Sequence, residues 1–165
     1  MIFFRIKNIG VISWAACAVV LALCGAVTSL HAKPAKVKVQ TCELLAMEEI
    51  GKAIGKPALS MMDVPLSSDM GACTYLSDAT KTVPLVSTQL HTKGGPKHYS
   101  LYCETTSGSI KPGEPIAGLG DQACLRDKSA LFLRKGDKLI MVTIAVMGDV
   151  REPLIKLGRA ALVKL

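Results

Sequence analysis

Gly118, Gly120 and Ala123, in the stretch AGLGDQACL, have the G-x-G-x-x-A spacing of a dinucleotide phosphate loop. That chemistry needs a strand before the first glycine and a helix after the last, whose N-terminal N–H groups hold the pyrophosphate. Here KPGEPIA precedes the motif, with two prolines, and CLRDKSALFLRKGD follows it with the pattern of a strand. The glycines therefore read as a tight reversal into a C-terminal hairpin. Asp121 is placed to cap that turn through its side chain. No cofactor is expected.

The other candidates for chemistry are sparse. Past the N-terminal segment the chain has two histidines, His91 and His98, on either side of KGGPK, and they read as residues of a solvent-exposed loop. A hydrolase would need a nucleophile, a base and an orienting group, and no G-x-S-x-G elbow is present. His91 and His98 with Met61, Met62 and Met70 would offer soft ligands to Cu(I). Adjacent residues on a strand point to opposite faces, however, so one of Met61 and Met62 is expected in the core and one at the surface. Glu48 and Glu49 diverge on a helix and do not make a glycosidase pair. No catalytic, cofactor-binding or metal-binding residue is assigned. The leading expectation is a non-enzymatic binding or accessory protein, and the alternative is an envelope hydrolase or copper-binding protein.

The first 32 residues have the order of a secretory signal: a basic start at Arg5 and Lys7, an apolar run from Ile9 to Val27, then TSLHA. Cleavage is expected near Ala32, although Leu30 is larger than the position favours. An uncleaved membrane anchor, or a lipid on Cys24, are the other readings of this segment. Bulky Leu23 suits lipidation poorly, and all three readings export the remainder. Without Arg5 and Lys7, 18 of the 20 basic residues remain against 13 acidic ones, a net charge of about +5. Export argues against a nucleic-acid target. An acidic partner or plain solubility fits the mild excess.

The exported part keeps Cys42, Cys73, Cys103 and Cys124, an even number that reads as a disulfide framework. Four cysteines allow three pairings. Cys42–Cys73 and Cys103–Cys124 are favoured, each closing a loop of roughly 20 to 30 residues. There is no C-x-x-C, so neither redox nor zinc spacing is present.

The elements that must carry these residues follow from periodicity. A basic leader, residues 33–40, precedes one domain, residues 41–165. TCELLAMEEIGKAIGK reads as a helix stopped by Gly55 and Pro57. ALSMMDVPL, GACTYLS and TVPLVSTQLHT read as strands, with Pro65 and Pro84 at ends or edges. A short helix is expected from about Pro96, with Tyr99, Tyr102 and Cys103 on one side; the alternative is a strand with Tyr99, Leu101 and Cys103 on one face. ALFLRKGDKLIMVTIAV reads as a hairpin turning at Gly136-Asp137, with Ile140, Val142, Ile144 and Val146 inward. DVREPLIKLGRAALVKL closes the chain as an amphipathic helix capped by Asp149, with Glu152 completing a capping box. Its apolar face is Leu154, Leu157, Ala161, Leu162 and Leu165. The expected fold is α+β, an antiparallel sheet flanked by N-terminal and C-terminal helices and held by disulfides.

The sequence of motifs C-E-L-L, A-I-G-K-P, G-A-C-T-Y, G-L-G-D-Q-A and L-F-L-R-K-G-D-K-L resembles small exported bacterial domains, many of them actinobacterial lipoproteins, with a PsbP/Mog1-like fold. The resemblance runs over most of Thr41 to Leu165. It implies a sheet between helices and a binding or accessory role. Cys42 and Cys73 match the cysteine positions usual in that family, whereas Cys124 stands where an aromatic is more usual and Ala46 where a Ser or Thr commonly caps the first helix. The partner is expected to be an envelope protein or a small ligand. Its contact surface would be the sheet face or the basic side of the last helix, Lys156, Arg159 and Lys164.

Overall fold

A computed structural model describes residues 40–78, 82–106, 111–146 and 148–165. The N-terminal segment expected to be a secretory signal, residues 1–32, and nearly all of the basic leader lie outside the described residues. Seven strands make one antiparallel sheet: β1 (Ser60–Pro65), β2 (Met70–Leu76), β3 (Pro84–His91), β4 (Glu114–Pro115), β5 (Gln122–Arg126), β6 (Ala130–Lys135) and β7 (Lys138–Ile144). Their spatial order is β1-β2-β3-β7-β6-β5-β4. The helices are α1 (Met47–Ile54), α2 (Gly95–Tyr99), which continues as a π-helical turn over Ser100–Glu104, and α3 (Arg151–Val163). This is the expected α+β architecture.

The two faces of the sheet are covered unequally. On the first face, Cys73, Tyr75, Val86, Leu90, Leu131, Leu133, Ile140, Val142 and Ile144 meet Ile50 of α1 and Leu154, Leu157 and Ala161 of α3. Gly158 lets α3 settle closely on Leu131 and Leu133, where a Cβ would press into both side chains. Tyr75 ties the N-terminal turn to the sheet. Its hydroxyl donates to the carbonyls of Cys42 and Leu45, at 3.2 and 3.0 Å, and burial pushes its pKa up to about 12. The second face is covered by α2 over β5–β7, where Tyr99 and Cys103 pack on Cys124, Phe132 and Leu139.

Three local expectations are corrected. The first helix does not run unbroken from Thr41. A 3-10 turn, Thr41–Glu43, is followed by a break, and α1 begins after Ala46, whose backbone is extended. Alanine has no side-chain acceptor, so only half of a capping box exists: the Glu49 carboxylate accepts the Ala46 N–H at 2.8 Å. Asp149 accepts the Arg151 N–H at 3.0 Å, yet the cap residue itself is Val150, so the Asp149–Glu152 box does not form. Met61 and Met62 do point to opposite faces, but both are exposed, at 48% and 44%. The reason is that β1 is an edge strand, and nothing among the described residues covers either side of it well enough to make a core.

The phosphate-loop spacing is resolved as a turn. Gly118 and Gly120 lie between β4 and β5, and the residues after Ala123 continue as β5 rather than as a helix. Gly120 has φ +66°, and a Cβ there would collide with the Arg134 carbonyl oxygen. Asp121 donates its N–H to that same carbonyl at 2.8 Å. Its carboxylate accepts the Gly136 N–H at 2.7 Å and pairs with Arg134 at 3.3 Å. Asp121 thus caps the β6–β7 turn rather than its own. Gly120→Ala is expected to destabilise the protein by about 2 kcal/mol, through left-handed strain and the carbonyl clash, as read by chemical denaturation. Wild-type stability in that variant would contradict the close approach.

Candidate functional site

The side chains with chemical potential meet on the second face, at the border between its covered and open halves. His91 ends β3, in the middle of the sheet, with Met70 as its register partner on β2 and Leu139 on β7. Directly paired residues in antiparallel strands project to the same face. His91, Met70 and Leu139 therefore stand in one row beneath α2.

The α2 segment presents the second imidazole. Gly94 and Gly95 begin it, and their N–H groups donate to Asp137, one to the side chain at 2.9 Å and one to the backbone carbonyl at 2.7 Å. A Cβ at Gly95 would lie 2.7 Å from the Asp137 carbonyl carbon and 2.8 Å from its oxygen, so the contact is backbone against backbone. At the far end the Thr105 N–H donates to the Ser100 carbonyl at 3.1 Å, an i to i+5 bond that makes the π turn. That widened turn brings Tyr102 and Cys103 to the sheet. Cys103 is bonded to Cys124 of β5, and the Arg126 guanidinium donates to the Tyr102 carbonyl at 2.7 Å.

The result is a ring cluster. The His91 and His98 ring centroids are 4.2 Å apart with planes at 35°. Tyr102 lies 6.3 Å from each, and it stacks on Phe132 at 5.0 Å. His91 is only 6% exposed, and burial, reinforced by the neighbouring His98, holds its pKa below the ordinary histidine value. Nδ1 of His98 is buried and has no hydrogen-bond partner.

The reading of both histidines as exposed loop residues is therefore corrected. His91 is a buried strand residue and His98 a half-buried helical one. The signal was present: His91 continues the period-2 alternation of Ser87 and Gln89, which puts it on the second face. What places His98 over it is the backbone approach at Gly95, a tertiary contact with no local signature.

The other candidates are separated from this cluster. Glu48 pairs with Lys52 at 2.7 Å on α1, and Glu49 caps that helix. Lys156 and Arg159 stand exposed on α3, in the layer over the first face, and Lys164 is exposed just past its end. None of them makes an ion pair among the described residues. Lys93, Arg134 and Arg151 are by contrast matched to Asp69, Asp121 and Glu114, the last bidentately at 2.7 and 2.8 Å. That pairing holds the Glu114 carboxyl below its ordinary value. Lys135 and Lys138 join the end of α3 by donating to the carbonyls of Leu162 and Leu165.

Two disulfides, Cys42–Cys73 and Cys103–Cys124, place this domain in an oxidising environment. Among the described residues no helix is long and apolar enough to cross a membrane. No known protein family and no curated protein matches this chain.

Replacing both Cys103 and Cys124 by Ala is expected to cost about 3 kcal/mol of stability. Amide exchange should accelerate over residues 95–105 more than in β6 and β7, as read by hydrogen-exchange mass spectrometry. Unchanged protection in that segment would contradict the role of the bridge in holding it.

Proposed function

We propose that this chain is an exported, non-enzymatic binding or accessory domain of the bacterial envelope, freed by cleavage near Ala32 and acting in the periplasm or outside the cell. Its partner is an acidic surface on another envelope protein, met by the outer side of α3. The observation that carries this reading is the set of exposed cations Lys156 and Arg159 of α3 and Lys164 just past its end, unmatched among the described residues. Unpaired surface charge steers an oppositely charged partner and sets its orientation, while matched charge is already spent within the fold. The resemblance to exported accessory domains supports the same role. Two further facts favour binding over catalysis. Neither imidazole is hydrogen-bonded to a carboxylate among the described residues, and His91 is buried in the sheet beside the His98 ring.

The test is a pull-down from the host's own envelope at low salt, comparing the wild-type chain with one carrying Lys156→Glu, Arg159→Glu and Lys164→Glu. The specific partner is expected to be retained by the wild type and weakened by roughly tenfold or more in the variant, with the same loss on raising salt. Retention by the variant would move the contact to the open half of the second sheet face.

A further inference from the structure

We propose that His91, His98 and Met70 form a binding site for Cu(I). The site lies on the second face of the sheet, so it is separate from the α3 surface and does not depend on the reading above.

The geometry limits how the two imidazoles meet a metal. An imidazole nitrogen binds at about 2.0–2.1 Å, which puts the ion roughly 3 Å from the ring centroid. Rings whose centroids are 4.2 Å apart could share one ion only as neighbouring ligands, at an angle of roughly 80–90°. A linear pair would need about 6 Å between centroids, so the ion keeps an open side for a third ligand. Met70 is placed to supply it. As the direct register partner of His91 it projects from the same face of the adjacent strand, with Cβ atoms about 5 Å apart. Met61 and Met62 stand on β1, whose register partners are Tyr75 and Thr74, and take no part.

The orphan nitrogen is the second observation. A buried imidazole nitrogen without a partner forgoes a hydrogen bond, and native interiors seldom leave one so. Nδ1 of His98 is in that condition although the π turn, the disulfide and Asp137 fix its backbone from both ends. Coordination would satisfy it.

The donor set selects the metal. Two neutral imidazoles and a thioether bring no negative charge, so the full charge of the ion remains in a poorly hydrated place. One charge costs far less there than two. No group of three His, Cys, Asp or Glu residues able to hold a metal exists among the described residues, as zinc would ask. Thioether sulfur is a soft ligand and favours Cu(I).

The experiment uses the full chain with Cys17→Ser and Cys24→Ser, which removes the thiols outside the two disulfides. Cu(I) kept reduced by ascorbate is titrated against the chromophoric chelator bicinchoninate. The expected result is one Cu(I) taken per chain, with nitrogen and one sulfur in the X-ray absorption shell. Met70→Leu should weaken binding by tenfold or more, and His98→Asn should abolish it. Near-UV circular dichroism checks that each variant is folded. Leucine at the half-buried position 70 preserves packing, so that variant decides the question even where His98→Asn does not fold. No copper taken from the chelator, unchanged affinity in folded Met70→Leu, or a preference for Zn(II) over Cu(I) would each overturn the site.

Discussion

The backbone of Gly95 lies against the backbone of Asp137, and much of the second face depends on that contact. It permits no Cβ at Gly95, and it fixes where α2 leaves the sheet. From there one helical turn carries His98 over His91, and the following π turn carries Cys103 to Cys124. Asp137 sits in the β6–β7 turn, which Asp121 caps through the Gly136 N–H. The glycine-rich stretch before β5 and the start of α2 are thus joined through one hairpin turn. A sequence motif that suggests nucleotide binding turns out to stabilise the turn on which the ring cluster is mounted.

The faces of the sheet divide the labour. The first carries the main apolar core, closed by α1 and α3 and anchored by Tyr75 and the Cys42–Cys73 bridge. A domain of this size has little margin in its core, and two covalent links in an oxidising environment relieve that limit. The outer side of α3 is then free to carry charge that the fold does not use. The second face is half covered and is bordered by His91, His98 and Tyr102, where one imidazole is buried and Nδ1 of the other is buried without a hydrogen-bond partner. Dehydrated, undersatisfied groups are costly, and their retention on a rigid mount is what makes this border the chemically distinctive part of the molecule.

Much of the architecture was legible in the sequence. Alternation fixed β2, β3 and the β6–β7 hairpin, and Ile140, Val142 and Ile144 do face the core. Helical periodicity gave α3 and its buried side, and the disulfide pairing favoured from the sequence is the one observed. Errors arose where long-range contacts decide. Met61 and Met62 have the pattern of any strand, and only the position of β1 at the sheet edge exposes both. The first helix breaks because Thr41 and Leu44 are drawn into the core and Tyr75 claims the carbonyls of Cys42 and Leu45. The ring cluster was the least legible feature, since its two histidines stand seven positions apart in different elements and are brought together by a tertiary backbone contact.

The most direct test of this account is a nuclear Overhauser experiment on the oxidised chain, observing the ring protons of His91 and His98. Cross-peaks between the two imidazoles are expected, with ring-current shifts on His98 from Tyr102. Absence of any cross-peak between the two rings, with both disulfides intact, would contradict it.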